Sequence, residues 1–360
     1  MSLRRIELPR LAIVLGAVGI AALAPLTAQA QDWTQREFPM APPNAKGNFV
    51  APYFDGFYPN EDGTYTLSFG FMNRNDEDVI EIPLGPNNFI EPAEFDGVQP
   101  TAFPVVSYSG FGGPRERGIF GVVVPADFDG DVWWTLTTDG YTTRVPGRLH
   151  GRFEGLIGFE GAYALSSSPM AEGSLRPLIQ FTEDGPAVWG LTGIEHPEHF
   201  TTSVDEPVEV RFWAFDRGER ELGDVNMTLW KYRGPVGGVV AFESLVEAPA
   251  GSAGRGGPGG FDLSQLPDGV TIDDIPPEIL AQFGAGRGGG PAGPGPVDIG
   301  RAVRISGEGP NANIGRFRAT FDTPGEYVIR VRIDNFTSGD SAAGNQCCWT
   351  NGYVNVSVTQ

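Results

Sequence analysis

The chain of 360 residues has only two cysteines and three histidines. Lysine is scarcer than its 25 basic residues suggest: Lys46 and Lys231 are the only two, and the rest are arginines. Two cysteines exclude a multi-bridge disulfide scaffold, so the core must come from apolar packing. No stretch shows helical periodicity, which excludes a helical bundle or a helix-covered parallel sheet. There is no G-x-S-x-G elbow and no P-loop. Gly284, Gly286 and Gly289 satisfy G-x-G-x-x-G only because that stretch is glycine-rich. No strand precedes them and no helix follows, so no dinucleotide site is expected. No cofactor is expected.

The first thirty residues do carry a signal. Arg4, Arg5 and Arg10 give a basic start, an apolar run extends from Leu11 to Leu26, and Ala28-Gln29-Ala30 offers a small-x-small cleavage site. The run is shorter than the roughly 18 apolar residues of a spanning helix and contains Pro25. Residues 1–30 therefore read as a cleaved secretory signal peptide, and no cysteine follows to take a lipid. No membrane span is expected after cleavage. Cleavage would remove three arginines and one glutamate from a net charge of −20, leaving −22. So acidic a surface repels phosphate backbones and anionic headgroups, which argues against nucleic acid or bare membrane as partner. The expected location is extracytoplasmic, either periplasmic or released.

Fifty-one glycines and 31 prolines beside 11% aromatics point to folded β structure with many turns, not to a disordered chain. After a lead-in over 31–51, Tyr65, Leu67, Phe69 and Phe71 alternate with Thr64, Thr66 and Ser68, the pattern of a half-buried strand. Val79–Ile82 begins another. Gly118–Val124 is a continuous apolar run suited to a central strand. Asp131–Thr137 and Tyr141–Val145 flank Asp139-Gly140, a hairpin signal. Further strands are expected over Val208–Phe215, Val225–Tyr232, Arg316–Phe321, Tyr327–Ile333 and Val354–Val358. Thr323-Pro324-Gly325-Glu326 suits a type II turn. This spacing predicts an all-β fold of two immunoglobulin-like β-sandwich domains. The first covers 52–165, the second 203–360, and 166–202 is a linker or a domain closure. Residues 247–300, rich in Gly and Pro around an island at Val270–Phe283, read as a flexible insertion in the second domain.

The stretch from Phe321 to Val331, followed by a closing strand, resembles the end of an immunoglobulin-like sandwich of the PKD or cadherin-like kind. A Pro-Gly turn there leads into a Tyr-containing penultimate strand. Trp213-Ala214-Phe215-Asp216-Arg217-Gly218 stands where PKD domains carry a Trp-x-Phe-Gly-Asp-Gly motif, without its Gly-Asp-Gly core. The whole chain is similar to a group of exported bacterial proteins sharing the Trp134–Thr138 strand and the Gln346–Asn351 ending, Gln-Cys-Cys-Trp-Thr-Asn. The resemblance implies location and fold but no reaction.

Candidate sites are few. Asp127, Asp129 and Asp131 crowd three carboxylates beside Gly130, but an EF-hand starting at Asp127 would need Glu where Thr138 stands, so a solvated turn is expected. His196 and His199, with Glu195 and Glu198, have His-x-x-His spacing, but Pro197 between them argues for a polar loop over a helical metal site. Adjacent Trp133 and Trp134 must face opposite sides of a strand. One is then core, and the other packs at a domain interface or offers a platform for a sugar ring. Cys347 and Cys348 are open to three states: a vicinal disulfide, two buried thiols or an intermolecular bridge. Trans-linked neighbours sit about 3.8 Å apart, less than the usual disulfide separation of about 4.4 Å or more. If they bridge, the ring beside Trp349 is a candidate ligand platform. The expected function is a non-catalytic binding or envelope-structural protein, with carbohydrate or an envelope protein as partner. The alternative is a secreted hydrolase acting on glycans.

Overall fold

The structure, a computed structural model, describes residues 47–75, 77, 79–105, 115–150, 165, 175–217, 223–246, 303–335 and 349–360. Nearly all of its regular structure is β, in several sheets packed as sandwiches. Residues 44–360 pack as one unit.

The strands expected over Thr64–Phe71, Gly118–Val124, Asp131–Thr137 and Tyr141–Val145 all form. β2 (Tyr65–Asn73) lies between β1 (Val50–Pro59) and β6 (Glu116–Val124) in antiparallel sheet I. β7 (Val132–Thr138) lies between β4 (Asn88–Glu91) and β8 (Tyr141–Gly147) in sheet II. The β7–β8 turn is of the primed kind, with φ +49° at Asp139 and +79° at Gly140, as the Asp-Gly pair requires. Leu67, Phe69, Phe71, Phe120, Val122 and Val124 of sheet I share one core with Ile90, Val132, Trp134 and Leu136 of sheet II. A two-stranded ribbon, β3 (Ile80–Glu81) with β5 (Ala102–Phe103), adds Ile82 and Phe103 to that core. Asn88 is the polar tie within it. Its Nδ2 donates to the carbonyls of Ile82 and Pro100, and its Oδ1 accepts from the Trp134 indole at 3.1 Å.

Sheet III runs β14 (Val240–Ser244), β16 (Ile314–Phe321), β12 (Val208–Phe215), β9 (Leu178–Gln180). Sheet IV is built on β18 (Trp349–Thr359), β17 (Gly325–Asp334) and β13 (Val225–Arg233). At its ends lie β15 (Val303–Ile305) and, parallel to β18, β10 (Ile194–Glu195) and β11 (Phe200–Ser203). Val208, Val210, Phe212, Phe317, Ala319 and Phe321 of sheet III pack on Leu229, Ile329, Val331, Ile333, Val354 and Val356 of sheet IV. Each of these Val, Leu, Ile and Phe side chains contributes about 1.5–3 kcal/mol when fully buried.

Three details differ from the sequence reading. β2 is buried on both faces, and on the second its Thr66 lies with Leu191 around Gly121 of β6. A Cβ on Gly121 would lie 2.5 Å from Thr66 and 3.1 Å from Leu191. β6 lies at the edge of sheet I, not its centre, and Phe120 in its apolar run is buried between Phe69 of the same sheet and Trp134 of sheet II. Gly325 has φ +147°, not the roughly +80° of a type II turn. Its missing Cβ makes room for Pro235, whose ring would stand 2.4 Å away. The expected signal peptide over 1–30 and the insertion over 247–300 lie outside the described residues.

Candidate functional site

Alternation along β17 places Tyr327, Ile329, Val331 and Ile333 in the core of sheets III and IV and turns Val328, Arg330, Arg332 and Asp334 to the other side. That other side is buried too. Arg330 is 1% exposed, held by Asn351 Oδ1 (Nε, 2.9 Å) and the Gly118 carbonyl (Nη2, 3.1 Å), with its guanidinium 4.6 Å above the Trp230 ring. Arg332 lies near the same ring and pairs with Glu116 of β6 at 2.8 Å. The burial of Arg330 lowers its pKa to about 10, so it stays charged at neutral pH.

Around this point the two sandwiches join through polar groups. The backbone N–H of Thr101 donates to the Tyr232 carbonyl, the Tyr232 hydroxyl to the Val98 carbonyl, and Arg233 to the carbonyls of Gln99 and Gly97. Lys231 reaches Glu81 of the ribbon and the carbonyls of Pro235 and Gly238. Asn351 Nδ2 donates to the carbonyls of Ile119 and Leu191. Burial pushes the Tyr232 and Tyr353 phenols above their ordinary value. A cavity between Phe71, Ile119, Trp230 and Arg330 has room for little more than a water molecule.

Three of the five residues expected to bind a ligand, Trp133, Trp134 and Trp349, lie among the described residues. Trp134 is fully buried in the first core, edge-on to Phe120 at 4.9 Å. Trp133 faces outward from sheet II with the Arg144 guanidinium 3.8 Å over its ring. Trp349 is 5% exposed, packs with Tyr58 and Leu191, and donates from Nε1 to the Gly118 carbonyl at 3.2 Å. Gly118, at φ +55°, is its seat: an added Cβ would fall 2.3 Å from the indole. Cys347 and Cys348 lie outside the described residues.

Asp127 and Asp129 are exposed in the turn between β6 and β7, and Asp131 pairs with Arg148 at 2.7 Å. His196 sits between Phe181 and Phe200 and accepts on Nδ1 from the Glu198 N–H. Its pKa is lowered by burial. His199 Nε2 lies 2.7 Å from Ser357 Oγ and 3.4 Å from Glu326, while Ser357 donates to that same Glu326 oxygen. Serine, histidine and carboxylate thus meet on an exposed edge, but the carboxylate takes the serine proton directly and faces the same ring nitrogen. A relay needs it on the opposite nitrogen. Among the described residues no group of three metal-ligating side chains converges.

Sequence reasoning missed the arginines. They stack over aromatic rings along the molecule: Arg115 on Tyr53, Arg176 on Tyr58, Arg211 on Trp213, Arg217 on Trp189, and Arg330 and Arg332 on Trp230. The near-exclusive use of arginine over lysine was the signal, since a planar guanidinium stacks on rings and keeps its N–H edge free. The geometry defines an all-β protein of packed sheets, with an arginine-lined seam between its two cores. Neither a protein-family model nor a curated protein matches the chain.

Proposed function

We propose that this chain is an exported, non-catalytic binding or envelope-structural protein built on two immunoglobulin-like sandwiches. The observation that carries the reading is the seam. Its charged and polar groups, Arg330, Arg332, Asn351, Tyr232 and Lys231, are spent on carbonyls, a few carboxylates and each other across the junction. Groups committed to joining two sandwiches hold their outer surfaces in fixed register, which suits presentation of a binding surface. The immunoglobulin-like reading is supported by Tyr327, whose hydroxyl donates back to the Thr323 carbonyl at 2.8 Å, as the tyrosine corner of such folds does. The acidic composition and the leading segment support a place outside the cytoplasm.

The test is a glycan array and an envelope-extract pull-down with the chain from Gln31 onward. Retention of a glycan or an envelope protein, unchanged after prolonged incubation, is the expected result. Release of new reducing ends from a retained glycan would overturn the non-catalytic reading in favour of a glycan hydrolase.

A further inference from the structure

One pair of arginines stands apart from the seam. Arg176 precedes β9, and Arg217 follows β12. The Arg217 Nε donates to the backbone carbonyl of Arg176 at 2.8 Å, which brings the two residues together. Each guanidinium lies on a ring: Arg176 over Tyr58 at 4.6 Å, Arg217 over Trp189 at 4.2 Å. Both arginines are half-buried, and Gly190 passes so near that an added Cβ would stand 3.4 Å from Arg176 Nη1.

Neither guanidinium has a carboxylate within ion-pair distance among the described residues. The neighbouring acids are already engaged. Asp55 takes Arg115, Ser68 and the Gly118 N–H, and Asp216 takes the N–H groups of Arg217 and Gly223 and the Asn335 amide. Exposed Glu61 acts on Arg217 only through its field. Burial lowers the pKa of Arg176; the Tyr58 phenol opposes the shift and the charge of Arg217 adds to it. Two adjacent, half-buried cations that no described carboxylate pairs with directly are well placed to take an anion from a ligand.

We infer that Arg176 and Arg217, with Trp189 and Tyr58, form a binding site for the carboxylate of an acidic saccharide. A stacked guanidinium offers two parallel N–H bonds in its plane, which match a planar carboxylate. Trp189, 36% exposed, supplies an apolar flank for the attached sugar ring. The molecule's long-range acidity does not forbid this, because fields beyond about 8 Å are screened at physiological salt. The inference rests on the reading of the chain as a binding protein and names its ligand class.

The test is calorimetric titration of the chain from Gln31 with a short oligogalacturonate, a neutral galactose oligomer and inorganic phosphate, for the wild type, Arg176→Gln and Arg217→Gln. Expected are binding of the oligogalacturonate alone and a loss of tenfold or more in each variant. Binding of phosphate without the uronate, or uronate affinity unchanged in both variants, overturns the assignment. A second readout guards against a folding defect. Ligand-free Arg176→Gln should melt at the wild-type temperature or above, since an uncompensated charge is removed. A fall of about 5 °C or more would make Arg176 a structural cation on Tyr58 and also overturn the site. Array hits that persist in both variants would leave the binding-protein reading standing while this site falls. A wild type with no hits and no retained partner would instead remove the binding reading itself.

Discussion

On one side of β17, Tyr327, Ile329, Val331 and Ile333 pack into an apolar core; on the other, Arg330 and Arg332 pack on Trp230 and reach Gly118 and Glu116 of β6. Both faces leave water, but by different physics. The apolar face is held by a non-directional effect that scales with area, so a neighbour of similar volume serves nearly as well. The polar face is held by bonds with directions, and removing one partner leaves another buried and unsatisfied. The same strand should therefore tolerate change on one face and resist it on the other.

The largest effect should come at the seat of Trp349. Gly118→Ala forces a Cβ into the indole and asks alanine to adopt φ +55°. We expect a loss of about 4 kcal/mol in denaturant unfolding, from overpacking and strain together. A loss under 1 kcal/mol would show that the seam yields, and the contrast between faces would collapse.

Arg330→Met keeps length but strips the donors from the Gly118 carbonyl and Asn351. The expected loss is about 3 kcal/mol. A more stable variant would place this buried cation among those that a hydrophobic side chain can replace.

Alkali tests the same face without mutation. Tyr232 and Tyr353 have pKa values raised above the ordinary phenol value by burial. Their contribution is full below about pH 10 and is lost as pH rises through the raised folded values, because the unfolded chain releases those protons first. Absorbance at the phenolate band should show these two tyrosines ionising together with unfolding. Ionisation near pH 10 in the folded protein would mean that the seam admits water.

On the apolar face, Ile329→Val removes one methylene and should cost about 1 kcal/mol. A cost matching that of Arg330→Met would erase the distinction drawn here. The smallest effect is expected outside both layers. Arg144→Ala takes the guanidinium from the half-buried Trp133 ring and should cost about 0.5 kcal/mol. A loss above 2 kcal/mol would show that this stack holds sheet II together.

The sequence determined the strands whose two faces differ plainly. Alternation at Tyr65–Phe71, Val208–Ala214, Arg316–Phe321 and Tyr327–Ile333, with the Asp139-Gly140 turn, marks local preferences that each stretch carries alone. β1 escaped notice because Pro52, Gly56 and Pro59 interrupt its pattern, and the pairing with β2 absorbs the irregularity as a register shift at Phe54/Gly56. β10 and β11 escaped because strands of two and four residues exist only by pairing with β18. Of the candidate site residues, sequence settled only that Trp133 and Trp134 oppose each other. Which of them is core, and that Trp349 lies on Gly118, depend on contacts far apart in the chain. The buried arginines show the limit most sharply. Alternating Arg330 and Arg332 with aliphatic residues signals a solvent-facing side by every local rule, and only a second sandwich, with carbonyls and rings in place of water, makes their burial affordable.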